Sequence, residues 1–188
     1  MATTKTPVDN GVNLEALQQA REMLGNEPDL ALFEWRVTNT WKWGTHSQST
    51  VEKFGGLGGE QAHRQPYTYD VDHPEIFAAE DNGATPVEMV LVGLAGCLTA
   101  GVASIAQLRD IQLRSVTAII EGDMDVRGSI GVDPDVRNGF SAIRVRYQIE
   151  ADDASTEDLE AVIAQSQKRS PVYDLLTSPT NVTVELAR

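Results

Sequence analysis

Cys97 is the single cysteine of the chain, and the residues four before and four after it are glycines, Gly93 and Gly101. On a helix this spacing puts all three on one face, so the sulfur has no side chain on the turn above or below it. A thiol that can be approached so closely suits nucleophilic or redox chemistry as the thiolate. Equally, glycines at this spacing admit a neighbouring backbone, and the thiol is then a small core hydrophobe, the commoner use of a free cysteine. Both readings stand at this point. Metal chemistry is not expected, because His46, His63 and His73 lack the i, i+4 or Cys-x-x-Cys spacings that gather ligands. The acidic cluster Asp70, Asp72 and Glu75 has no EF-hand spacing and reads as a solvated turn around Pro74.

The element that must carry the thiol is TPVEMVLVGLAGCLTAGVASIAQLR, residues 85–109. Thr85 is a helix cap, Pro86 suits the first helical position, and Glu88 lies in the first turn where the helix dipole favours an acid. The stretch is uncharged from there to Arg109, which predicts a long buried helix. Its length also admits a membrane span. Thr99, Ser104 and Gln107 interrupt it, and neither a basic cluster nor an aromatic belt flanks it, so a core helix is the expectation.

Upstream, residues 1–28 form a polar arm in which Asn13 caps a short helix that Gly25 ends, an arm able to pack on a neighbouring copy. Residues 29–188 make a single domain. Phe33, Trp35, Val37, Trp41 and Trp43 fall on one side of a long half-buried strand whose antiparallel partner is HSQSTVEKF. GGLGG at 55–59 reads as a hairpin loop, since no helix N-terminus follows it. Downstream, Val116, Ala118, Ile120, Met124 and Val126 alternate with residues that are polar except for Ile119, and Ile143, Val145, Tyr147 and Ile149 alternate with polar residues throughout. Ser155 and Asp158 open a helix ending near Arg169, Ser170-Pro171 opens a second, and VTVEL after Pro179 predicts a last strand. Strands in consecutive runs around one long helix give an α+β class with mainly antiparallel sheets.

The net charge of -13 disfavours nucleic acid and anionic membranes as partners. The N-terminal MATTKTPVDNGVN has no apolar segment of a secretory signal, so the cytoplasm is the expected compartment.

Three segments carry a resemblance. TPVEMVLVGLAGCLT, LRDIQLRSVTAIIEGDMD at 108–125 and RSPVYDLL at 169–176 resemble the OsmC/Ohr family of osmotically inducible and organic hydroperoxide resistance proteins, over about residues 41–186. The resemblance implies an intertwined homodimer, with antiparallel sheets wrapped around long central helices and the thiol site at the subunit interface. It implies that Cys97 attacks a hydroperoxide, and that Ser170 stands where the family's resolving cysteine would be. A serine cannot close a disulfide with a sulfenic acid. Glu88 matches the family's helix acid but is displaced by one residue, about 100° around a helix. Arg36 and Arg64 are candidates for the family's activating arginine by strand position, and His63 is a further candidate cation.

Two functions follow from this. The first is a one-cysteine peroxide reductase without cofactor, recycled by an external thiol, with Cys97, Glu88 and Ser170 at its centre. Gly93, Gly101, Arg36, Arg64 and His63 would line the binding site. The alternative is a non-catalytic dimer of the same fold that binds a small apolar ligand.

Overall fold

The computed structural model describes residues 7–187, and the expectation for the arm at residues 1–6 lies outside them. The architecture is α+β, with antiparallel sheets and a central helix, as the sequence predicts. The described chain divides into two compact units, residues 13–90 and residues 7–12 with 91–187.

The unit of residues 13–90 opens on helix α1 (Leu14–Asn26), whose first turn is closed by Ala16 N donating to Asn13 Oδ1 at 3.0 Å. The strand expected from Phe33 is broken in two, β1 (Glu34–Trp35) and β2 (Thr38–Trp43). Both pair antiparallel with β3 (His46–Gly56), which also pairs antiparallel with β4 (Gly59–Val71). Leu57 and Gly58 make the hairpin turn with φ of 53° and 76°. Positive φ at both central residues matches the twist of the flanking strands.

The tryptophans correct the half-buried expectation. Trp35, Trp41 and Trp43 are 69%, 65% and 70% exposed. Alternation gathers them on one face, but no layer formed by the described residues of this unit covers it. Asp72 corrects the solvated turn. It is 1% exposed, and its carboxylate accepts from Thr45 Oγ1, His73 N, Asn82 N and Asn82 Nδ2. These donors, Thr45 foremost, hold it well below the usual carboxylate range and tie the loop at 72–82.

Helix α2 (Pro86–Leu108) begins with reciprocal capping: Thr85 N donates to Glu88 Oε2 at 2.8 Å, and Glu88 N donates to Thr85 Oγ1 at 3.3 Å. Burial along it is uneven. Leu94, Leu98, Val102, Ile105, Ala106 and Gln107 are buried, whereas Val90 and Val92 are exposed. The helix is long and apolar enough to span a bilayer, yet its second half is a core stripe of the second unit.

That unit's sheet pairs β5 (Leu113–Asp123) with β6 (Ala142–Ala151), antiparallel. Val116 lies opposite Ile149, Ala118 opposite Tyr147 and Ile120 opposite Val145, which makes the inward face. The strand stops at Asp123 rather than Val126, because Asp125 caps a short helical turn, α3 (Val126–Ser129). Helix α4 (Thr156–Arg169) starts on the Ser155/Asp158 capping box and buries Val162 and Ser166. Val102, Ile105, Ala106, Ile111 and Val162 form the core, with Leu113, Val116 and Tyr147 packed against it. A second short helix, α5 (Pro171–Thr177), follows.

The expected last strand does not form. Residues 179–187 carry no strand pairing, and Val182, Val184 and Leu186 are exposed. Their alternation lacks a neighbour to supply the ladder. At the other end, Gln107 Nε2 donates to Val8 O at 2.7 Å, Asn10 N to Gln107 Oε1 at 2.6 Å and Leu113 N to Asn10 Oδ1 at 2.9 Å. The described end of the arm is thus sewn to its own chain.

Candidate functional site

Three elements of the second unit deliver polar groups to one place. Helix α2 presents Cys97, half-buried on the stripe it shares with Gly93 and Gly101. Beyond its own helix backbone, no heavy atom of the described residues lies within 4 Å of where a Cβ on Gly93 would sit, whereas one on Gly101 would meet Ser166 Oγ at 2.2 Å. The close approach that the glycines permit is therefore made at Gly101, by α4. Ser166 is 2% exposed, and its Oγ donates to Leu98 O at 2.6 Å, which locks the two helices together at the residue next to the thiol.

Ser170 ends α4 and begins α5. It is 5% exposed, and its Oγ accepts from Tyr173 N at 3.1 Å while donating to Cys97 Sγ at 3.1 Å. Pro171 favours this junction, since it lacks the N–H that a continuing α4 would need and suits the first position of a new helix. A hydroxyl that already accepts from an amide directs its own proton away, here to the sulfur.

Tyr147 enters from β6. Its Oη is sealed from solvent and finds no hydrogen-bond partner among the described residues. Burial pushes the phenol above its ordinary range; the Thr99 side chain works the other way and the neighbouring Cys97 adds to the rise. Sequence reading placed Tyr147 only as one member of an inward stripe. The available signal was a single hydroxyl in a row that otherwise reads Ile143, Val145 and Ile149.

The other candidates belong to residues 13–90. Glu88 is held by Thr85 in the helix cap, and Thr85 Oγ1 also donates to its Oε2 at 3.0 Å. Arg36 is paired with Glu60 and, at 3.5 Å, Glu34, and the Glu60 hydrogen bond raises its already high pKa. His63 sits between the rings of Phe54 and Tyr67, with centroids 5.2 Å and 5.5 Å away. Arg64 is exposed. The structure thus brings Cys97 and Ser170 into contact, while Arg36 and Glu88 are engaged by partners of their own. No three His, Cys, Asp or Glu side chains are grouped to hold a metal ion among the described residues.

Comparison with known proteins gives a consistent assignment. The family model described as OsmC-like protein matches residues 79–185. No curated protein matches the sequence. Among solved structures, an OsmC-like protein from Mycoplasma pneumoniae aligns with a TM-score of 0.58 at 17% identity, covering 77% of this chain and 87% of that one. An OsmC-like protein of Vibrio cholerae aligns at 0.54 and 13% identity, over 75% and 92% of the two chains. An organic hydroperoxide resistance protein OsmC from Legionella pneumophila aligns at 0.53 and 17%, over 77% and 90%. At these identities the likeness is one of fold.

Proposed function

The chain belongs to the OsmC-like protein family, and from that premise we propose that it is a one-cysteine peroxide reductase of stress defence. The observation that carries the reading is the contact of Cys97 Sγ with a buried hydroxyl at 3.1 Å, at the position where the family resemblance calls for a second thiol. The Cys97 thiolate attacks the terminal oxygen of an organic hydroperoxide. A sulfur–oxygen bond forms, the oxygen–oxygen bond breaks, and the alkoxide leaves as an alcohol after taking a proton. Sulfur is oxidised by two electrons to the sulfenic acid. Ser170 cannot condense with it, so an external thiol does, releasing water and leaving a mixed disulfide. A second external thiol frees Cys97 and restores the reduced chain.

The same reading makes the working form a cytoplasmic homodimer whose contact uses the exposed tryptophan face. It needs no cofactor, and the charge of -13 disfavours nucleic acid and anionic membrane surfaces as partners. The non-catalytic apolar-ligand dimer is favoured by one feature, the engagement of Glu88 in a helix cap.

Reduced protein mixed with cumene hydroperoxide and a sulfenic-acid trap is expected to gain one label per chain by intact mass, and Cys97→Ser none. An unlabelled wild type would move the assignment to the ligand-binding dimer.

A further inference from the structure

We propose that Ser170 is a catalytic residue of the Cys97 site, its hydroxyl donating to Sγ and so favouring the thiolate over the thiol. The inference rests on the peroxide-reductase reading and gives an active part to a serine that otherwise only fails to close a disulfide. Its placement is direct: Ser170 is 5% exposed, and its Oγ lies 3.1 Å from Cys97 Sγ. A hydroxyl has one proton and two lone pairs. Ser170 Oγ accepts the Tyr173 N–H at 3.1 Å as the N-cap of α5, and among the described residues its proton has no acceptor except the sulfur.

The bond discriminates between the two states of the sulfur. A neutral thiol is a weak acceptor, whereas a hydrogen bond to an ionised acceptor is about twice as strong as one between neutral groups. The donor therefore gains when Cys97 ionises, and the helix cap holds it in place beforehand, so no reorganisation is needed. Little else in the unit does this work. Cys97 lies well past the first turn of α2, where the dipole would act. The helix carries no charge between Glu88 and Arg109, and Lys168, Arg169 and Asp174, which flank Ser170 in the chain, are exposed. Tyr147 on β6 is kept protonated and neutral by burial. Among the described residues the Ser170 hydroxyl is the one donor hydrogen-bonded to Sγ. It keeps its proton throughout: the sulfur's electron pair forms the bond to the peroxide oxygen, and the serine holds that sulfur as the anion until it does.

The test compares the full chain with Ser170→Ala and Ser170→Gly. Both remove the hydroxyl, and glycine keeps most of the helix cap, so one variant remains folded if the other is weakened. The rates of Cys97 alkylation by iodoacetamide and of sulfenic-acid formation with cumene hydroperoxide are followed against pH. Losing the bond to the charged sulfur should raise the midpoint of each profile by about one pH unit. A thiolate that forms less readily is also more nucleophilic, so tenfold fewer thiolates react about threefold faster apiece. Both variants should therefore be about threefold slower than the wild type below the midpoints and about threefold faster above them, the curves crossing between. Displacement of the thiol by a purely structural change would move the rates in one direction at every pH. Parallel or coincident curves overturn the inference and leave the peroxide-reductase reading standing. A wild type that iodoacetamide alkylates but cumene hydroperoxide does not oxidise removes that reading, and this catalytic role with it; a thiol that neither reagent reaches overturns both.

Discussion

Gly101→Ala is a small change with a large expected effect, because the added methyl has nowhere to go. Its carbon would lie 2.2 Å from Ser166 Oγ, 3.0 Å from Ser166 Cβ and 3.4 Å from Ser166 Cα. Side-chain carbons essentially never come within 3.0 Å of another heavy atom in this way, so the first distance is a clear clash. Ser166 can rotate and break its 2.6 Å bond to Leu98 O in a place 2% exposed, at about 1–3 kcal/mol. Otherwise α4 must back away, which for an overpacked contact costs about 1–3 kcal/mol. Against either stands a gain of about 1 kcal/mol from alanine's better helix propensity. The net expectation is a loss of up to about 2 kcal/mol, read as a lower urea midpoint at unchanged slope. The sign should reverse in a Ser166→Gly background, where the space is open and only propensity remains. Ser170 lies one turn beyond Ser166, so displacement of α4 should also slow peroxide oxidation of Cys97. A Gly101→Ala protein more stable than the wild type, or a substitution equally costly in both backgrounds, would refute the contact as the cause.

Other substitutions probe the same frame. Ser170→Cys places a second sulfur where Oγ now touches Cys97 Sγ, so peroxide should close a disulfide, seen as the loss of two titratable thiols; persistent thiols would count against the pairing of these positions. Acid should weaken the unit built around Asp72. Its folded pKa lies below the unfolded value of about 3.9, so its stabilisation is complete above that value and is lost as the pH falls below it. Asp72→Asn should flatten this part of the acid unfolding curve and lower stability at neutral pH, because an amide nitrogen would face Thr45, His73 and Asn82 donors; an unchanged acid limb would assign it to other carboxylates.

The second unit was the more legible of the two in the sequence. Ser155 with Asp158 marks the start of α4, as Thr85, Pro86 and Glu88 in the other unit mark that of α2, because caps are local and their partners lie within one turn. The alternation from Ile143 to Ile149 likewise gives β6 and its inward face. What alternation cannot convey is the layer beyond the strand. Trp35, Trp41 and Trp43 share a face as expected, yet whether anything covers them depends on residues remote in the chain. The same limit explains Val182, Val184 and Leu186, a strand pattern without a ladder. At the site, Cys97 and its glycines were visible from spacing, but the occupant of the space over Gly101 was not, since it comes from α4, 65 residues later by number. Tyr147 was hidden for a related reason. A hydroxyl's lack of a partner is a property of everything around it, and no local pattern encodes it.

The stitching of Val8 and Asn10 to Gln107 and Leu113 has a consequence for synthesis on the ribosome. The first described residues belong to a unit whose remaining members begin at Leu91, so residues 13–90 are interposed in the sequence of the other unit. As the chain emerges, residues 13–90 can find their hairpin partners early, all of them near in sequence. Residues 8–10 must stay unsatisfied until about a hundred further residues have been made, and then close the longest loop in the unit. Such closures carry a high entropic threshold and come late. Residues 8–10 are consequently open to proteases until the carboxyl end of α2 has left the exit tunnel, and are withdrawn only then.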